Sequence, residues 1–178
     1  MAETDRQVLL NLGCGFAKKV GWVNVDGFDV CDPDVVWDLN KFPYPWDDNS
    51  ADAIEMFHVL EHLEDWWPAF EEMARIVKPG GSVEIRVPDE SSTTALTYRD
   101  HNHVFSLASF HGIQEANHST NAWAATVVNS IPLKLEGYYQ VPHKKYGWMV
   151  RFPRLLRFCA DHLRNYIHEQ RFIFRKIG

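Results

Sequence analysis

The sequence predicts an α/β fold built on a parallel sheet and contained in one domain. Three observations carry that expectation. Short apolar runs recur and stop at glycines or carboxylates. A helical apolar stripe separates two of them, and the residues fit for ligand chemistry fall just after the runs. Alternating strands and helices build parallel sheets, and such sheets bind ligands beyond the carboxyl ends of their strands.

Val8-Leu9-Leu10-Asn11-Leu12 is a short apolar run ending in glycines, the pattern of a buried parallel strand. Trp22 to Asp26 forms a second strand, closed by Gly27, and Asp34 to Trp37 a third. Turn formers from Pro43 to Ser50 mark a loop, and Asp52 to Phe57 reads as a fourth strand. Over 64–77 the residues Trp67, Phe70, Met73, Ala74 and Val77 recur at helical spacing, with Glu71 and Glu72 outward. Lys78-Pro79-Gly80-Gly81 stops that helix. The alternation from Ser82 to Val87 gives a fifth strand.

The stretch 89–132 is polar and His-rich, with two short helices expected at about 106–116 and 121–129. A strand resumes over 133–141. Residues 153–167 read as an amphipathic helix with Leu155, Leu156, Cys159, Leu163, Tyr166 and Ile167 inward, and 170–177 as a last strand.

At 178 residues the chain buries a substantial core, about 70% of its unfolded surface for this size. Seven Trp, eleven Phe and six Tyr supply either that core or the wall of a pocket for a flat ligand. Three cysteines, an odd number without close spacing, argue against a disulfide framework. Residues 1–7 lack the basic and apolar regions of a signal peptide. No apolar run approaches the ~20 residues that span a bilayer, so a cytoplasmic protein is expected. The net charge of −6 is unevenly spread. Residues 1–133 hold 8 basic and 21 acidic side chains, and residues 134–178 hold 10 and 3. Docking of the basic tail on the acidic body is the favoured explanation, ahead of an anionic partner.

Gly13-Cys14-Gly15 follows the first strand, where glycines allow a sharp turn and close approach to a ligand. Asp26 ends the second strand and can accept from both hydroxyls of a ribose, though a turn Asp before Gly27 reads the same way. Asp38 and Leu39 follow the third strand, and His58 the fourth. Together these offer a glycine loop, a ribose acceptor, an adenine-edge acceptor with an apolar wall, and a polar lid. That is a nucleoside-shaped site.

The motifs LNLGCG at 10–15, GWVNVD at 21–26, VWDLNKFP at 36–43, DNSAD at 48–52, HVLEH at 58–62 and RIVKPGG at 75–81 resemble the class I S-adenosylmethionine (SAM)-dependent methyltransferases in order and spacing. The resemblance covers residues 8–90 and is greatest to a compact branch that nearly lacks the helix between the first two strands. It implies a Rossmann-like doubly wound seven-stranded sheet, mostly parallel, with a reversed last strand, and residues 89–132 as a substrate-covering insertion. It also implies SAM as cofactor, held by the Leu12-Gly13-Cys14-Gly15 turn. Asp26 would meet the ribose, Asp38 and Leu39 the adenine, and His58 the methionine portion. The first motif departs from the family pattern: Phe16 and Ala17 stand where a third glycine is usual, and only ten residues separate Gly15 from Asp26.

Histidines 101, 103, 111 and 118 cluster in the insertion, and His103-x-Phe105-Ser106 resembles a feature of glycan- and small-molecule-methylating relatives. His103 is the candidate general base, since imidazole titrates near neutrality. The expected acceptor is a small molecule, sugar or glycolipid. A SAM- or nucleoside-binding module without transferase activity is the alternative. A nucleic-acid methyltransferase is opposed by the acidic body. His58-Val59-Leu60-Glu61-His62 also fits the inverted zinc-protease pattern, but His58 ends a strand, and no metal is expected.

Overall fold

The computed structural model describes residues 7–110 and 131–178. Seven strands form one sheet in the order β3-β2-β1-β4-β5-β7-β6. They are β1 (Leu9–Leu12), β2 (Val23–Asp26), β3 (Val35–Val36), β4 (Ala51–Phe57), β5 (Val77–Pro88), β6 (Leu133–Pro142) and β7 (Ile167–Lys176). The pairs from β3 to β5 are parallel, whereas β7 runs antiparallel to both β5 and β6. The reversed last strand is therefore present. It enters the sheet between β5 and β6, and the strand order switches direction between β1 and β4.

No helix separates β1 from β2; residues 13–22 form turns and irregular chain. Helix α1 (Trp66–Ile76) is capped by Asp65, whose carboxylate accepts from the Trp67 amide at 3.0 Å. Its apolar stripe buries Phe70, Met73 and Ala74. The helix is shorter than the sequence suggests at both ends. The Asp65 cap sets its start, and Val77 already pairs with Ala51 as the first residue of β5. The Lys78-Pro79-Gly80-Gly81 segment lies inside the long β5, beside a register irregularity opposite Ala51 and Ala53. Helix α2 (Thr93–Thr97) lies within residues 89–132.

Helix α3 (Pro153–His162) ends earlier than the periodicity indicates, and Ile167 opens β7 instead. Cys159 is buried, but Leu155 and Leu163 are exposed, so two of the residues expected inward face solvent. An apolar stripe states what a helix is able to bury. Whether a partner surface lies opposite is decided by the rest of the fold. Of the two helices expected in the insertion, 121–129 lies outside the described residues, and of 106–116 residues 107–110 are described and helical.

Part of the aromatic load is core, whereas Phe16, Phe28, Trp148, Phe152 and Phe158 are exposed. Phe110 packs on Phe172 at 4.5 Å between ring centroids, stacks on Phe105 at 5.7 Å, and meets Phe70 and Phe174. Each such pair contributes about 0.5–1.5 kcal/mol beyond its buried area. The cluster holds Phe105 and Phe110 against the last strand. A second anchor is the buried Gln170, whose amide donates to the Phe105 carbonyl at 2.8 Å.

The opposite pleat of the sheet is charged. Asn11, Glu55, Glu84 and Ile173 align across β1, β4, β5 and β7. Lys19 pairs with Glu55, and Glu84 binds both Arg86 at 2.8 Å and Arg171 at 2.7 Å. Parallel strands covered on both faces are nearly all apolar. Half of the pleat here is polar, in keeping with the helix missing between β1 and β2. Part of the basic tail docks on the acidic body through Arg171 to Glu84 and Lys176 to the Asn49 side chain.

Candidate functional site

The carboxyl ends of β1 to β4 open on a cavity of about 890 Å³. Gly13, Gly15, Asp26, Asp38, Leu39 and His58 all line it, so six of the eight residues assigned to the cofactor meet at one place. The other two, Leu12 and Cys14, are buried beneath the loop. Burial and then the Asp26 carboxylate push the Cys14 thiol up, which keeps it protonated.

Local geometry explains the glycines. Gly13 has φ +72°, and a Cβ there would stand 2.2 Å from Val59 Cγ2. The turn after β1 is thus packed directly on the turn after β4. Its shape is held by the Gly13 and Cys14 amides, which both donate to the Val25 carbonyl at 2.8 and 2.9 Å. Gly15 has φ +48° and no atom within 4 Å of a Cβ position, so its open side remains available to a ligand.

Asp26 is 8% exposed and already engaged. Its Oδ2 accepts from the Gly15 amide at 2.8 Å and its Oδ1 from the Phe28 amide at 3.0 Å. A carboxylate has about four lone-pair sites, so two remain for other donors. The residue therefore has a structural task, bracing the glycine loop against β2, that the sequence did not reveal.

His58 sits at φ +55° directly after β4. Its Nε2 lies 2.9 Å from Glu169 Oε2 and its Nδ1 3.4 Å from Glu61 Oε1. The hydrogen bond to Glu169, reinforced by Glu61 and opposed by partial burial, pushes its pKa up to about 9 from the ordinary 6.5. His58 is cationic at neutral pH. The helical spacing that would let His58 and His62 share a metal does not form. Leu60–His62 is a single 3-10 turn, and His58 precedes it on the strand side.

A second cavity, about 380 Å³, adjoins the first and shares His58, His62 and Asp100 with it. Glu61, Tyr98, His101 and His168 are also in its wall. His103 lines neither cavity; its Nε2 stands 3.2 Å from the Glu64 carbonyl. Backbone bonds from the Asn102 and His103 amides to the Glu61 carbonyl, at 2.7 and 3.2 Å, turn the neighbouring His101 toward the cavity wall. His111 and His118 lie outside the described residues. Sequence reasoning did not assign Glu61, His101 or Glu169 to the site. Glu61 carried a signal in the HVLEH pentapeptide and its zinc-protease pattern, and His101 as a member of the histidine cluster; Glu169 carried none. Glu169 is 111 residues from His58 and reads as an ordinary strand carboxylate.

A family model described as a methyltransferase domain matches residues 5–134. No curated protein matches the chain by sequence. Among solved structures, the chain is similar to an Archaeoglobus fulgidus SAM-dependent methyltransferase, with TM-score 0.65 and 12% identity over 97% of this chain and 87% of that one. A Haloferax volcanii complex with the Trm112 methyltransferase activator gives TM-score 0.62 and 14% identity, covering 97% and 84%. Haemonchus contortus phosphoethanolamine N-methyltransferase 2, in complex with SAM, gives 0.58 and 15%, covering 97% of this chain and 49% of that one. Among the described residues no helix is long and apolar enough to cross a membrane.

Proposed function

Because the chain belongs to the methyltransferase-domain family, we propose that it moves the methyl group of SAM to a small-molecule, sugar or glycolipid acceptor. The observation that carries this reading is the single cavity lined by Gly13, Gly15, Asp26, Asp38, Leu39 and His58 at the strand ends. Its volume lies within the ~300–1,000 Å³ usual for small-molecule sites. The residues fit the cofactor: the open side of Gly15 admits close approach, and Asp26 keeps lone pairs for ribose hydroxyls. Asp38 and Leu39 suit the polar edge and flat face of adenine. The cationic His58 suits a methionine carboxylate better than a proton-accepting role. Leu12 and Cys14 do not line the cavity; they support the glycine loop from beneath.

SAM, when bound, supplies a methyl group on a sulfonium that leaves readily. The protein then needs chiefly to align acceptor and methyl, which by itself yields much of the rate. We assign the acceptor to the smaller cavity because it adjoins the larger one, and Tyr98 and His101 form part of its wall. His103 serves as proton acceptor only if its ring leaves the Glu64 carbonyl. Its replacement by alanine should therefore lower turnover in part without abolishing it.

Calorimetry with SAM and S-adenosylhomocysteine tests the reading, and absence of binding at millimolar ligand would overturn it. A second reading, a SAM-binding module without transfer, is favoured by one observation: no helix follows the glycine loop to support the methionine end. Binding accompanied by methyl transfer to any of a panel of hydroxyl and amine acceptors separates the two.

A further inference from the structure

We propose that Glu61, His62 and His101 form a divalent transition-metal site of the zinc class in the wall of the smaller cavity. One ligand atom from each residue lies within 4.8 Å of the other two. Glu61 is 1% exposed, and both of its carboxylate oxygens lack a hydrogen-bond partner among the described residues. A buried ionised carboxylate is costly unless paired or bound to a metal. The 3.4 Å separation from His58 is an ion-pair contact on one oxygen only and leaves the carboxylate short of partners. His101 Nδ1 is likewise buried without a partner among the described residues.

The surroundings are those of a ligating histidine. His62 Nδ1 is 3.0 Å from the Asp100 carbonyl and 3.3 Å from its carboxylate. Donation there leaves Nε2 as the lone-pair atom, the arrangement that fixes tautomer and orientation in metal-bound imidazoles. The amides of Asn102 and His103 hold the Glu61 carbonyl, and the Asn102 side chain donates to the His62 carbonyl at 3.0 Å. The two segments that bring the three ligands together are thus tied before any metal arrives.

Two imidazole nitrogens and one carboxylate oxygen make a three-ligand set of the kind that leaves a coordination position open. All three residues border the cavity, so the open position faces the place assigned above to the acceptor. The ligand this adds is an oxygen of the acceptor. That use rests on the methyltransferase reading, whereas the metal site does not.

Cobalt(II) is the probe, titrated into metal-stripped protein and followed by visible ligand-field absorption. The expected result is one equivalent bound, displaced by zinc(II), with affinity at least tenfold weaker in His101→Ala and in Glu61→Gln and unchanged in His162→Ala. His101 is only partly buried, so its variant remains informative if Glu61→Gln does not fold. Lack of stoichiometric cobalt binding, or equal binding by wild type and His101→Ala, overturns the site. SAM binding without cobalt binding overturns this inference alone, and cobalt binding without SAM binding overturns only the cofactor reading.

Discussion

His58 Nε2 and Glu169 Oε2 stand 2.9 Å apart, joining the turn after β4 to the start of the reversed strand β7 across 111 residues of chain. The pair ties the wall of the larger cavity to β7, which runs antiparallel to both β5 and β6. It also makes His58 a cation. His58 binds its proton more tightly folded than unfolded, so its contribution to stability is complete below pH 6.5 and is lost as pH rises through about 9. Glu169 is held below the usual carboxylate range, first by its hydrogen bond to His58, so its contribution is present above about pH 4.5 and lost on acidification. Glu169→Gln should lower the His58 pKa part of the way toward 6.5, Glu61 retaining the rest, read by NMR titration of the ring. A His58 pKa still near 9 in that variant would contradict the pairing.

Gly13→Ala should fail on two counts. The positive φ costs about 1–2 kcal/mol for a residue with a Cβ, and the clash with Val59 adds about 1–3 kcal/mol of overpacking. Chemical denaturation reads the sum. The double variant Gly13→Ala/Val59→Ala should lose less than the two single changes added together, because the clash has been removed. Strict additivity would deny the contact.

Gly15→Ala behaves differently. Its Cβ meets nothing in the folded chain, so stability should fall by only about 1–2 kcal/mol from the backbone conformation. SAM affinity, measured by calorimetry, should fall by at least tenfold if the added methyl group enters the cofactor space. A wild-type affinity would place the ligand elsewhere.

Asp26→Ala removes the acceptor of two backbone amides as well as the proposed ribose contact. Stability should drop by about 1–3 kcal/mol from the Gly15 and Phe28 amides left unpaired, and SAM binding should weaken by a similar amount. Measuring both separates the roles, since loss of stability with unchanged affinity would leave Asp26 a brace only.

Phe110→Ala should cost about 3–5 kcal/mol, as for other fully buried aromatics. A loss under 1 kcal/mol in denaturant unfolding would show that this ring does not fasten its segment to β7.

Local patterns in the sequence were enough to locate most strands, the α1 stripe and the residues that close β1, β2 and β4. Those signals are written in neighbouring residues: periodicity, glycine at tight turns, carboxylates at strand ends. The alternation over Ser82 to Val87 also carried a signal not drawn on, since its polar side, Glu84 and Arg86, marks a charged face of the sheet.

Other features depend on contacts between distant segments. The inserted position of β7, the His58–Glu169 pair and the exposure of Leu155 and Leu163 each depend on what lies across space, which local periodicity does not encode. The choice between His101 and His103 is the sharpest case. Both are histidines in one short polar run, and the sequence treats them alike. Two backbone hydrogen bonds to Glu61 and the anchoring of Phe105 by Gln170 set the path of that run, placing one ring in the cavity wall and the other against the Glu64 carbonyl. Sequence by itself determined which residues could serve a nucleoside-shaped site. Only the tertiary structure decided which of them meet, because side chains two residues apart can face different surroundings once the backbone between them is pinned.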